Sequence, residues 1–537
     1  MGFPRSLVVE KMQTVNYSPA WQALTLHAQQ LGKQKIADLL QADDKRAEFF
    51  LHCSVDGLQA NFSRHLINDE TVKLLLALAE QQQLKEWRQR LFAGALVNNT
   101  EKRPALHMAL RQFNRDFLVD GVSVRSDVQD SLEKFLHFAE SIRNKTIKGA
   151  TGKAFQHIIH LGIGGSDLGP KMVLDALAAW KHPEINVHFV SNVDSWHLSE
   201  ALRQCDPAST LVIIASKSFT TEETLLNANS VRAWLQTTLT KEQADQHLVG
   251  VTVNVKAAMA ACVPATQIFP FWDWVGGRFS LWSSVGLPVA IAVGAQHFRE
   301  LLAGAAAMDE HFLTADLAEN IPVWMALTGL WCRNFMNISA LALLPYTQGL
   351  QHLPFWLQQL DMESNGKSVN RDGVAIDYDT APLVFGESGT NGQHSFYQWM
   401  HQGTTKVASD IIMIDEPCGF VAHLHHEKHH RVLSAHGLAQ AEAFTFGRNA
   451  SQTMESMKKS GLAEEEILRL LPFRIFDGNR PLTLLRLKRL DAYHLGLLLA
   501  AYEHKIFVQG VLWEINSFDQ FGVELGKELA KNILQQA

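Results

Sequence analysis

Cysteine is scarce in this chain. Five thiols, Cys53, Cys205, Cys262, Cys332 and Cys418, are spread over 537 residues without a Cys-x-x-Cys pair. That spacing argues against a disulfide framework and against a zinc site, and it fits a reducing compartment. Long hydrophobic runs are also missing. Ile321 to Cys332 and Gly286 to Ala295 fall well short of the roughly 18 residues that a membrane span needs. Met1 to Trp21 contains no apolar stretch of signal-peptide type, so the expectation is a cytoplasmic protein with no membrane partner. Charge of one sign is lacking too. A formal net charge of -7 gives no reason to expect nucleic acid, so any phosphate site has to be built locally. Low-complexity tracts, short repeats and Ser/Gly linkers are absent.

What is present is globular in composition, with 47% apolar and 19% charged residues, and the length calls for two domains. Residues 1–124 read as helices with polar connections, the N-terminal part of a larger domain. From about residue 155 the character changes. HIIHL, INVHFV, LVIIA and HLVGVTVN alternate with amphipathic stretches, the pattern of βαβ units and a parallel sheet. A helix-rich block from Phe298 to Leu360 leads into strand-like segments at Ala375 to Tyr378, Leu383 to Phe385 and Asp410 to Ile414. The fold class expected is therefore α/β, with two mostly parallel sheets flanked by helices. The smaller α/β domain is placed at 125–290, the larger at 291–515, and a C-terminal helical arm at 516–537.

Two turns have the chemistry of anion sites. Gly162-Ile163-Gly164-Gly165-Ser166-Asp167 follows a strand and opens a helix, where glycines allow close backbone approach and free N–H groups face an anion. It is not a dinucleotide fingerprint, because Asp167 stands where the third glycine belongs and no acid ends the next strand. Ser216-Lys217-Ser218-Phe219-Thr220-Thr221 follows LVIIA and precedes another helix. A plain helix cap needs one hydroxyl; here there are four, with a lysine, which is what a phosphate dianion takes. Gly165, Ser166, Ser216, Lys217, Ser218 and Thr221 are the substrate-phosphate candidates.

Four further segments carry a family resemblance. They are Asp273-Trp274-Val275-Gly276-Gly277-Arg278-Phe279-Ser280-Leu281-Trp282-Ser283, Asp361-Met362-Glu363-Ser364-Asn365-Gly366-Lys367, Gly389-Thr390-Asn391-Gly392-Gln393-His394, and the tail from Gly510 to Lys527. In this order they resemble the glucose-6-phosphate isomerase family, with matches from about residue 97 to 535. The resemblance implies two sugar-isomerase-type domains, a homodimer, and reversible conversion of glucose 6-phosphate to fructose 6-phosphate without metal or organic cofactor. Ser218 departs from the family's threonine and Phe521 from its commoner tryptophan.

The aldose–ketose exchange needs a base for C2 and C1, a cation for the enediolate oxygen, and an acid–base pair for ring opening. Position alone would leave Glu363 an ordinary glutamate before a helix stop; the motif makes it the base. Arg278, permanently charged and next to two glycines, suits the enediolate. The resemblance implies that His394 assists ring opening from the partner subunit, that Lys527 shares that task, and that Gln520 lies near the phosphate. Asn516 or Ser517 is placed to cap a helix starting near Asp519, on which Gln520, Glu524 and Lys527 share a polar face beside an apolar ridge of Phe521, Leu525 and Leu529. The run His423 to His430 offers i, i+4 histidine pairs, but no cysteine or placed carboxylate joins them; it reads as a surface or subunit-contact segment rather than a metal site. Other phosphosugar isomerases could share the hydroxyl loop without the GGRFSLWS and SFDQFGVELGK segments. A sugar-phosphate sensor would need only the phosphate loops.

Overall fold

Asp56 and Gly57, both with positive φ, turn the chain back on itself and pair β1 (His52–Val55) with β2 (Leu58–Asn61). This corrects the all-helical reading of the N-terminal stretch: an Asp-Gly turn favours a tight hairpin. The computed structural model describes residues 14–417 and 425–536. A second short hairpin follows, β3 (Leu118–Val119) with β4 (Val122–Ser123).

The first large sheet comprises β5 (His157–Leu161), β6 (Asn186–Val190), β7 (Thr210–Ala215), β8 (Leu248–Thr252) and β9 (Ile268–Pro270). All its pairings are parallel, in the order β6-β5-β7-β8-β9. The apolar runs explain why. β7 and β8 are buried at every residue, and successive side chains enter different cores: Leu211 and Ile213 pack into one, Val212 and Ile214 into the other. Strands covered on both faces by helices are what parallel sheets require.

The second sheet contains β10 (Ala340–Pro345), β11 (Leu383–Gly386), β12 (Ala408–Ile414) and β13 (Leu482–Leu487), in the order β1-β2-β13-β12-β10-β11. The N-terminal hairpin extends it antiparallel through β2 and β13. β10 lies inside the block read as helix-rich. Ala375 to Tyr378 forms only an isolated bridge, Val369 with Ala375, and not a strand. In each sheet the chain reverses its direction of strand addition once, between β5 and β7 and between β10 and β12. Such switch points leave a crevice beyond the carboxyl ends of the strands.

The helix Ala492–Leu512 joins these layers. It is apolar and long enough to span a bilayer, but its residues are buried inside the protein. Gly304 and Gly496 let it close on the helix Ala295–Thr314. A Cβ on Gly304 would meet the Tyr493 carbonyl oxygen at 1.8 Å, and one on Gly496 the Leu301 carbonyl oxygen at 2.1 Å. In the same seam Arg111 is held by Asp309 at 2.7 and 2.8 Å and by Glu503 at 2.7 Å, while Trp282 Nε1 donates to Glu503 at 2.8 Å. A buried cation with two carboxylates is tolerable only when every partner is satisfied in this way.

Candidate active site

The turns after β5, β7 and β9 share one end of the first sheet. They border a cleft of about 770 Å³ that Glu363, Gln520 and Lys527 enter from the other parts of the chain. Gly165 has no room for a side chain: a Cβ there would lie 2.1 Å from the Gly277 carbonyl oxygen. The two glycine-rich turns therefore press backbone to backbone, and this contact sets the position of Arg278. Ser166 is held from behind, its carbonyl accepting from His160 Nε2 at 2.6 Å.

The hydroxyl-rich turn is internally tied. Ser216 Oγ and Thr221 Oγ1 are 3.0 Å apart, Ser218 Oγ and Thr220 Oγ1 2.7 Å, and Phe219 N donates to Ser216 Oγ at 3.1 Å. Phe219 is buried with φ +54, a conformation that needs the surrounding turn to hold it. Thr221 stands at the start of the helix Glu222–Leu235, yet its side chain makes no capping bond. The simple cap reading is thus excluded for Thr221, which lines the cleft together with Ser216 and Ser218. Lys217 borders the cleft, but its ammonium already donates to the carbonyls of Asp273 at 2.8 Å and Val275 at 2.9 Å. Burial, reinforced by Arg103, lowers its pKa to about 8.

Arg278 is the best-anchored side chain of the site. Nε donates to Ser364 Oγ at 2.6 Å, Nη1 to Glu363 Oε1 at 2.9 Å and Gln520 Oε1 at 3.1 Å, and Nη2 to the carbonyls of Ser517 at 2.6 Å and Asp519 at 3.2 Å. Every N–H of the guanidinium is used. Burial lowers its pKa and Glu363 opposes that shift. Glu363 ends a π-helical turn, Gln358–Glu363, a distortion that often marks functional positions. Its other oxygen, Oε2, accepts from Gln359 Nε2 at 3.2 Å, and its side chain keeps 25% exposure against 2% for Arg278. The carboxylate therefore reaches the cleft while the cation stays behind it.

The tail differs from the sequence expectation. The regular helix begins at Glu524, after a tight turn at Phe521–Val523, and neither Asn516 nor Ser517 caps it. Asn516 Nδ2 instead reaches Asn98, Thr100 and Asp519 at 2.8 to 3.0 Å, and Ser517 Oγ donates to Asn365 Oδ1 at 2.6 Å. Phe521, Leu525 and Leu529 are exposed, so the apolar ridge does not pin the arm within one chain. The polar knot at 516–519 does so, and it leaves Gln520 on Arg278 and Lys527 on the cleft.

His394 is the one candidate outside the cleft. It is exposed at the end of a short turn, Asn391–His394, whose Gln393 donates to Tyr346 Oη at 2.9 Å. In the histidine run, His423 lies outside the described residues. His426, His429 and His430 open the helix His426–Phe446, beside a larger cavity of about 930 Å³ at the second sheet. Among the described residues that cavity has no carboxylate–guanidinium pair beside a hydroxyl turn, and the smaller cleft does.

A sequence model described as phosphoglucose isomerase matches residues 61–537. The chain belongs to the phosphoglucose isomerase family. Glucose-6-phosphate isomerase of Deinococcus deserti is 46% identical over 521 residues, covering 97% of this chain and 94% of that protein. The enzyme of the same name from Methylococcus capsulatus is 44% identical over 524 residues, covering 96% and 94%. In three dimensions, the crystal structure of a glucose-6-phosphate isomerase from Chlamydia trachomatis superposes with a TM-score of 0.85 at 32% identity, over 97% of this chain and 96% of that one.

Phosphoglucose isomerase membership makes the chain an aldose–ketose isomerase acting on a sugar phosphate, with the two-sheet α/β fold expected from its sequence. Several residues that build the site escaped the sequence reading. Lys367 Nζ bridges the carbonyls of Glu363, Ser364 and Asp519 at 2.7 to 3.2 Å and pairs with the Asp519 carboxylate at 3.2 Å. Gln359 sits four residues before Glu363, a helical spacing that could have revealed it. Thr100 left no signal; only the fold brings it to Asp519, at 2.7 Å.

Proposed function

We propose that this chain interconverts glucose 6-phosphate and fructose 6-phosphate, with Glu363 as the proton carrier. The carboxylate takes the C2 proton of the open-chain aldose, the C2–H electron pair forms a C1–C2 double bond and the carbonyl pair moves to O1; the C2 hydroxyl proton passes to O1, and return of the first proton to C1 leaves the carbonyl at C2. Arg278 balances the oxygen's negative charge from a fixed, buried position. Ser216, Ser218 and Thr221, with Gly165 and Ser166 opposite, hold the phosphate, and the Lys217 charge adds to the field there. Lys527 opens the sugar ring together with His394 of the partner subunit; Gln520 lies between Arg278 and the phosphate end. No metal or organic cofactor takes part, and the setting is cytoplasmic sugar metabolism, in glycolysis and gluconeogenesis.

The observation that carries this reading is the placement of Glu363 and Arg278 in one cleft with the hydroxyl turn. The homodimer is supported by His394, exposed and outside its own chain's cleft, and by the uncovered apolar ridge of the arm. Two measurements test the proposal. Purified, metal-free protein should form glucose 6-phosphate from fructose 6-phosphate in a coupled assay. Mixing subunits bearing Glu363→Gln with subunits bearing His394→Ala should restore activity that neither variant has alone, because one site in each mixed dimer is then complete. Failure of the mixture, with both variants dimeric, would place His394 outside the reaction.

A further inference from the structure

At the opposite end of the first sheet from the cleft, three side chains of metal-ligand type converge. His157 opens β5, and His188 lies on β6, diagonal to it across the parallel pairing. Both belong to the face that also carries Ile159, Leu161 and Val190. Cys205 follows the helix Ser195–Leu202 in the turn that leads into β7, the neighbour of β5 on its other side. Four residue steps along β5 separate His157 from Leu161, which sets His157 about 13 Å from the turn that follows the strand. Nothing in the isomerase mechanism uses these residues.

Their geometry is specific. His157 Nδ1 and His188 Nε2 are 3.3 Å apart with ring planes inclined at 28°, and the ligand atoms of all three residues lie within 4.8 Å of one another. At this separation the two rings make at most a long imidazole N–H···N bond. Two nitrogens on a tetrahedral zinc, each about 2.0–2.1 Å from the ion, stand about 3.3 Å apart. We propose that His157 Nδ1, His188 Nε2 and the Cys205 sulfur form a site for a zinc-type cation, with water as the fourth ligand.

The surroundings fit. All three residues are half-buried, so the group is reachable from solvent without lying on the open surface. Binding replaces the Cys205 S–H by a sulfur–metal bond and releases one proton. Asp206, next in sequence, is committed to Lys153 at 3.0 Å and to the Ser209 hydroxyl at 3.2 Å, which leaves the fourth position to solvent. The bound ion would tie β5 and β6 to the turn entering β7, and it would stabilise the sheet without touching the reaction.

Chelator-treated full-length protein titrated with Co²⁺ tests this. One equivalent should produce a near-ultraviolet thiolate-to-cobalt charge-transfer band that equimolar Zn²⁺ abolishes, and Zn²⁺ should raise the melting temperature. In Cys205→Ser the band should vanish and the zinc-dependent rise in melting temperature should be lost, with isomerase activity unchanged as the check on folding. In His157→Gln, which retains the thiol, the band should weaken at least about tenfold at equal cobalt. Cobalt held by the histidine run of His425 to His430 gives no thiolate band, and His429→Ala should leave the signal intact. An absent band, or one that survives Cys205→Ser, overturns the proposal.

Discussion

Arg278 Nη1 donates to Glu363 Oε1 at 2.9 Å, so the cation and the carboxylate stand side by side at the cleft. Their unequal exposure supports the proposed roles: Glu363 is open to the cleft, while Arg278, fully hydrogen-bonded behind it, would act through its charge. Replacing Glu363 with Gln keeps the shape and the bond from Arg278 but removes the proton acceptor. The kcat should fall about 10²–10⁴-fold with KM little changed. A variant with near-normal kcat would exclude Glu363 as the proton carrier.

Gly165 tests the backbone contact that positions Arg278. An added methyl would collide with the Gly277 carbonyl oxygen at 2.1 Å and the Arg278 amide nitrogen at 2.7 Å, so the second turn has to move away. A displacement of about 1 Å at the reacting centre is worth about 10²-fold in rate. Gly165→Ala should therefore lower kcat by that order even though the lost hydrogen contributes no chemistry. Unchanged kcat would mean that the turns slide without moving the guanidinium.

Ser216 and Thr221 bond to one another at 3.0 Å and face the cleft. With both replaced by Ala, the phosphate loses two donors that act equally in ground and transition states. KM should rise about 10–100-fold, more than kcat falls. Equal losses in kcat and kcat/KM would instead place these hydroxyls in transition-state stabilisation.

The sequence carried this chemistry wherever function and local pattern coincide. β5 to β8 are short, β-branched and bounded by glycine or hydroxyl turns, and the motifs around Arg278, Glu363 and Gln520 lie together in one cleft. Less was legible where only tertiary contact decides. Ala340–Pro345 is apolar throughout, and Leu482–Leu487 breaks its apolar run only at Thr483 and Arg486, so periodicity does not separate strand from helix there. The arm starts its helix at Glu524 because Asn516 and Asp519 are bound to Asn98 and Thr100, more than 400 residues earlier in sequence. His157, His188 and Cys205 likewise share no sequence spacing that resembles a ligand motif.

Arg111 gives a stability prediction independent of the site. Its guanidinium is wholly buried between Asp309 and Glu503, which in turn hold His504 and Trp282. Arg111→Met leaves two carboxylates buried without their cation, a change that costs about 3–5 kcal/mol. Urea titration should show the unfolding midpoint falling accordingly. A midpoint close to that of the parent protein would mean that water or proton uptake compensates the carboxylates.

On the proposed reading, the Lys217 charge should set an alkaline limit on substrate binding. Burial and Arg103 lower its pKa to about 8, against the attraction of Asp273 and Glu101. In the free enzyme its positive charge is thus present below pH 8 and lost above it. Stability runs the other way: between pH 8 and the unfolded value near 10.5 the unfolded chain binds the extra proton, so this group's unfavourable contribution is relieved as pH rises. Substrate binding should therefore weaken on a limb near pH 8 in kcat/KM while the fold holds. A bound phosphate dianion favours the ammonium, so the corresponding limb in kcat should lie at higher pH. Lys217→Arg keeps its charge throughout this range and should remove the pH 8 limb from kcat/KM. If the limb persists in that variant, another group titrates there and the Lys217 charge does not assist phosphate binding.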